Sequence, residues 1–218
     1  MIGLALSRNG RPPEQILCLG AHCDDLEIGC SGTILRLIAE HPEASVTWAV
    51  MGSTEVRAQE ALESAHALLG PVRKKNIVIK SFRDGFFPYV GGEIKAYFEE
   101  LKREVSPDVI FTHYRHDLHQ DHRLVAELTW NTFRDHLILE YEIPKYDGDM
   151  GNPNVFVPLD EILCRRKIAN ILASFPSQAD KRWFTEDLFR AILRLRGMES
   201  NSPSGLAEAF HCRKAVLS

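Results

Sequence analysis

Two alternating periodicities in the first half of the chain limit its fold most. Short apolar runs at residues 16–20, 45–51, 76–80 and 108–112 read as buried strands. Between them lie stretches with helical spacing. Residues 33–40 carry Ile34, Leu35, Leu37 and Ile38 on one face. Residues 54–69 set Glu55, Arg57, Gln59 and Glu60 on a polar side and stop at Gly70-Pro71. Residues 93–105 end at Ser106-Pro107. Strands alternating with helices of this length predict βαβ units, right-handed crossovers and a mostly parallel sheet, an α/β fold.

The second half is less regular. A helix is expected over 122–133, strands over 137–143 and 154–157, and helices over 159–175 and 185–195. Residues 144–153 carry Gly148, Gly151, Pro144 and Pro153 and read as a loop. Residues 197–205 read as a turn-rich link and 209–217 as a final strand. No repeat, low-complexity tract or linker divides the 218 residues, so one domain spanning 1–218 is expected.

Apolar residues at 44% and charged residues at 26% suit a soluble globular chain. A net charge of -4 gives no electrostatic reason for a nucleic acid or an anionic membrane as partner. Cys18, Cys23, Cys30, Cys164 and Cys212 make an odd number without a C-x-x-C, which predicts free thiols in a reducing cytoplasm. Arg8 and Arg11 interrupt any early apolar run, so no signal peptide is expected, and no stretch has the length of a membrane helix.

Chemistry concentrates in two segments, each just after a predicted strand. One is Ala21-His22-Cys23-Asp24-Asp25; the other runs from His113 to His122 and holds four of the nine histidines. Ligands of open α/β sheets bind beyond the carboxyl ends of strands, so two such loops can meet over one metal ion. Hydrolytic zinc takes three protein ligands and leaves a position for water. His22 and Asp25 are spaced to bend toward one point, and His122 or another histidine of the second loop can complete the set. Asp24 is placed as a general base, and His119 with Asp121 forms a pair that can stay cationic beside an oxyanion.

The run His22-Cys23-Asp24-Asp25, followed by Glu27-Ile28-Gly29-Cys30-Ser31-Gly32-Thr33, resembles the PIG-L/LmbE-like zinc N-deacetylase family. That family typically reads A-H-P-D-D-E with a Gly-Gly-Thr soon after. Its second signature, H-x-D-H, is matched by His119-Gln120-Asp121-His122. The resemblance spans the first ~125 residues. It implies a Rossmann-like three-layer sandwich with zinc on His22, Asp25 and His122. It also implies Asp24 as base, and His119, oriented by Asp121, as electrophile and general acid. Arg57 and Asp84 match positions that hold polar substrate groups in similar proteins, although a helix-face charge and a turn residue explain them too. Members often assemble into trimers or hexamers, which makes a homo-oligomer an expectation here.

Three departures stand out. Cys23 replaces proline, Leu26 replaces an acid (with Glu27 one place later), and Ser31 replaces glycine. A Cys23 thiolate could compete for the metal. His113 and His116 fit either pocket lining or a structural role. Gly29 and Gly32 do not make a G-x-G-x-x-G, which rejects a nicotinamide cofactor. The expected activity is removal of an N-acetyl group from a small-molecule substrate, an amino sugar, sugar nucleotide or glycoside. Alternatives are an amidase acting on a thiol conjugate and a non-catalytic metal- or sugar-binding module. Specificity is expected in loops 81–92 and 144–158 and in the C-terminal helices.

Overall fold

The computed structural model describes residues 3, 5, 6 and 10–216. Arg8 and the expected strand end at Leu217 lie outside them. Among the described residues the order is β1 (Gln15–Gly20), α1 (Asp25–Glu40), β2 (Ser45–Gly52), α2 (Glu55–Leu69), β3 (Lys75–Phe82), α3 (Gly91–Glu104), β4 (Val109–His113) and α4 (Gln120–Thr132). There follow β5 (Leu137–Tyr141), β6 (Val155–Pro158), α5 (Glu161–Ser174), α6 (Glu186–Glu199) and β7 (Ala207–Cys212).

All seven strands join one sheet in the order β3-β2-β1-β4-β5-β7-β6. The pairs from β3 across to β5 are parallel, and β7 runs antiparallel to both β5 and β6. The chain winds outward from β1 to β3, then returns to the other edge of β1 to lay down β4 and β5. This is a Rossmann-like topology, and its switch point lies between β1 and β4.

Helices cover both faces, giving three layers. Ile16 and Cys18 of β1 pack on the side of α1, α2, α5 and α6, whereas Leu17 and Leu19 pack on the side of α3 and α4. In β2 the same alternation sends Val46, Trp48 and Val50 one way and Ala49 and Met51 the other. Strands covered on both faces need apolar side chains at every position, which is why the sequence shows unbroken runs there. Caps fix several helix starts: Thr54, Asp160 and Thr185 accept the N–H groups of Arg57, Leu163 and Leu188.

Helix α1 starts at Asp25, eight positions before the start expected from apolar spacing. Its first eleven residues are all buried, so no polar face exists to reveal the period. The glycines are where neighbours enter. A Cβ on Gly29 would lie 2.2 Å from Tyr141 Cδ2, and one on Gly32 would lie 2.5 Å from Leu159 Cδ1 and 2.9 Å from Glu208 Oε1. Glu208 accepts the N–H groups of Gly32 and Thr33 at 2.9 and 2.6 Å, and Lys167 Nζ donates to Ile28 O at 2.6 Å and to Glu208 Oε1 at 2.5 Å. A buried ion pair is thereby inserted beside the helix ladder, every charge satisfied by backbone or partner.

Other boundaries also differ from the sequence reading. Helix α6 runs through Gly197 to Glu199 because that glycine lets the helix press on a turn: a Cβ there would sit 2.2 Å from Gly205 O. Strand β5 stops at Tyr141, short of Ile143. Strand β7 begins at Ala207 and ends at Cys212.

Replacing Lys167 by Met leaves the Glu208 charge buried and unpaired. Such a change costs about 3–5 kcal/mol, so urea unfolding should show a midpoint far below that of the unaltered chain. An unchanged midpoint would mean that Glu208 is held by its backbone donors alone.

Candidate metal centre

The loops after β1 and β4 emerge side by side at the switch point, and each leads directly into a helix. Asp24 occupies the N-cap of α1 and Asp25 its first turn. His119 is the N-cap of α4, its Nδ1 accepting the Asp121 N–H at 3.3 Å, and His122 follows in the first turn. Two helix N-termini thus bring acids and imidazoles together, and acids are favoured there by the helix dipole.

Three side chains converge. His22 Nδ1 lies 3.1 Å from His122 Nε2 and 3.5 Å from Asp25 Oδ2, and His122 Nε2 lies 3.5 Å from Asp25 Oδ1. Ligands about 2.0–2.1 Å from a tetrahedral zinc sit ~3.3 Å apart. These separations are of the size that ligands of one cation show, and among the described residues His22 also meets His119 and His122, and Asp84, His119 and Asp121, in sets able to hold a metal ion.

The far nitrogens of both imidazoles meet carboxylates. His122 Nδ1 is 2.9 Å from Asp117 Oδ2. His22 Nε2 is 3.2 Å from Asp121 Oδ2 and 3.1 Å from Asp84 Oδ1. A carboxylate on the outer N–H fixes the ring and leaves the inner nitrogen free to bind metal. Asp121 is itself held by the N–H groups of Gly85 at 2.6 Å and Phe87 at 3.1 Å. The Asp121 carboxylate thus stands behind His22, and its backbone N–H donates to His119 Nδ1.

Charge follows from these contacts. Burial, with His113 nearby, pushes the His122 imidazole down to about 4, so it is neutral and able to ligate at pH 7. Burial opposes protonation of His22, but the carboxylates of Asp121, Asp25 and Asp84 hold it well above the usual histidine range. Its Nδ1–H can then donate to His122 Nε2, and a cation entering between them displaces that proton. Burial would raise Asp25, yet the surrounding imidazoles of His122 and His113 keep it well below the usual carboxylate range.

Asp24 is buried and separate from this cluster. Its Oδ1 lies 3.1 Å from Arg57 Nη2, and Arg57 also approaches Glu60 at 3.7 Å. Burial raises the Asp24 carboxyl above its ordinary range despite the guanidinium. Arg57 is engaged by these acids, and Asp84, with its side chain 76% exposed, is drawn to His22. Cys23 turns its thiol to Gly52 O at 3.4 Å, and burial pushes it up to about 12, so it offers no thiolate. His116 is exposed and stands beside Tyr114.

Two further side chains support the cluster, His113, for which the sequence left pocket lining and a structural role open, and Asp117, which it did not single out. His113 is fully buried; its Nε2 accepts the Ala21 N–H at 2.9 Å, and its ring stacks on His122 at 3.9 Å. Asp25, His113 and His122 also converge, but that backbone donor already occupies the His113 lone pair. Asp117 carries no motif position, though an acid between His116 and His119 was a visible signal.

The profile of the PIG-L family, described as GlcNAc-PI de-N-acetylase, matches residues 17–133, which include both loops. Among solved structures, an N,N'-diacetylchitobiose deacetylase from Pyrococcus horikoshii is 21% identical, with a TM-score of 0.69, over 92% of this chain and 84% of that one. A conserved protein from Thermus thermophilus is 20% identical with a TM-score of 0.74, over 94% and 97%. The 4-carboxy-2-hydroxymuconate hydratase from Pseudomonas putida is 15% identical with a TM-score of 0.73, over 94% and 98%. At these identities the likeness is one of fold.

Replacing Asp117 by Asn removes the anionic acceptor behind His122. Divalent-metal affinity should fall about 10–100-fold, measured by competition with a chelating dye. An unchanged affinity would show that His122 needs no such support.

Proposed function

Since the chain belongs to the PIG-L family, the GlcNAc-PI de-N-acetylases, we propose that it is a zinc-dependent hydrolase removing the N-acetyl group of an amino sugar or sugar-containing small molecule. The observation that carries this reading is the meeting of His22 Nδ1, His122 Nε2 and the Asp25 carboxylate at cation-binding distances beside a buried, separate acid. His22, Asp25 and His122 would hold the metal. When bound, zinc supplies a Lewis acid and lowers the pKa of water toward ~7.

The remaining steps belong to side chains. Asp24, raised by burial and steadied by Arg57, takes the proton of the attacking water. His119, an N-cap whose ring stands 4.6 Å from that of His122, donates to the developing oxyanion. Asp24 or His119 then returns a proton to the departing amine, leaving acetate and a free amino group. Asp121 acts behind His22, and Asp84 at the rim serves both His22 and an incoming polar group. No helix among the described residues is long and apolar enough to cross a membrane. The five cysteines are free thiols, which is the observation that favours a reducing cytoplasm.

A hydratase shares this fold, so water addition to a carbon–carbon double bond is the competing outcome of the test. Acetate release from N-acetylated amino sugars and sugar nucleotides separates the two. Zinc-loaded protein should release acetate from at least one of them. Asp24→Ala should lower that rate by at least ~100-fold while atomic absorption finds the zinc content unchanged. Full activity in zinc-loaded Asp24→Ala would remove Asp24 from the mechanism.

A further inference from the structure

The acid behind His122 has a second partner that the chemistry above leaves unused. Lys145 Nζ lies 2.9 Å from Asp117 Oδ2 and 2.6 Å from Asp149 Oδ1. Asp149 Oδ2 in turn accepts the Leu118 N–H at 2.6 Å, and Asp117 Oδ1 accepts the His119 N–H at 2.8 Å. Loop residues 145 and 149 are thereby fastened to residues 117–119, the segment that carries His119 and the acid orienting His122. None of these groups is a loose surface charge: the side chains of Lys145, Asp117 and Asp149 are 14%, 2% and 5% exposed.

We propose that Lys145, braced by Asp149, is a positioning residue that fixes the Asp117 carboxylate against His122 and so sets the geometry of the metal centre. The proposal rests on the metal-centre reading given above. Asp117 Oδ2 faces two donors, the His122 ring and the Lys145 ammonium. An ammonium offers three N–H groups and can bridge two carboxylates that would otherwise repel. Without it, Asp117 and Asp149 become like charges with no cation between them in a part-dry pocket. The Asp117 carboxylate then turns away, and the imidazole that depends on it for orientation follows. An ordinary loop fastener would affect stability alone; this one also moves a ligand.

Cobalt in place of zinc reports ligand geometry directly through its visible absorption. The metal-free full chain is loaded with Co2+ as wild type, Lys145→Met, Lys145→Arg and Asp149→Asn, with folding checked by circular dichroism. Lys145→Met should change the position and intensity of the cobalt band, and Lys145→Arg, which keeps the charge, should restore the wild-type spectrum. If Lys145→Met fails to fold, Asp149→Asn should show the changed band. A wild-type spectrum in folded Lys145→Met would overturn the proposal. So would Lys145→Arg altered as much as Lys145→Met, or an unchanged band in Asp149→Asn when that variant is the one read. A wild-type chain that takes up no cobalt would instead bring down the metal centre itself, a different and recognisable failure.

Discussion

The parallel pairing of β1 with β4, Ile16 beside Val109 through Cys18 beside Phe111, is the constraint on which the rest depends. The chain arrives at β4 only after winding outward through β2 and β3, so the loops on the two central strands have no other strand between them. Each loop is short and turns at once into a helix. Residues almost a hundred positions apart in sequence become hydrogen-bond neighbours, as with Ala21 and His113. A one-residue slip in this register would invert the faces of β4 and pull the second loop away from the first.

Charge buried at this point is tolerated because nearly all of it is answered. The inner nitrogens of His22 and His122 face the Asp25 carboxylate, and their outer nitrogens face Asp121 and Asp117. Asp24 faces Arg57, and the deeper Lys167–Glu208 pair closes on the backbone of α1. Exceptions remain: Arg57 Nε and His113 Nδ1 have no hydrogen-bond partner among the described residues, and of the Glu27 oxygens Ser64 donates to one while the other has none, burial lifting its carboxyl to about 8. Held that high, the Glu27 carboxyl is a buried polar filler at pH 7 and not another charge. Leaving a buried charge unpaired is far more costly than never placing one, so the site and its supports stand or fall as a set.

Much of this was legible in the residues. Unbroken apolar runs marked the parallel strands, and two polar motifs at strand ends marked the site, because chemistry at a switch point must sit in those loops. The start of α1 was not legible, since a helix buried on every side has no polar stripe, and Gly29 and Gly32 imitate a turn while serving as entry points for Tyr141 and Glu208. Nor was the direction of Asp121, whose carboxylate looks like a neighbour of His119 in sequence but reaches His22 across the site. Supporting contacts such as Asp117 with Lys145 join loops whose approach only the sheet order fixes. Spacing along a chain reveals donors; it does not say which side of a ring each partner takes.

The most direct test is anomalous diffraction at the zinc edge from crystals of the full chain grown with zinc. One strong peak should lie about 2.0–2.2 Å from His22 Nδ1, His122 Nε2 and an oxygen of Asp25, with Asp24 outside the coordination sphere. No peak at that point, or an ion held by His113 or His119 in place of His22, would contradict the account.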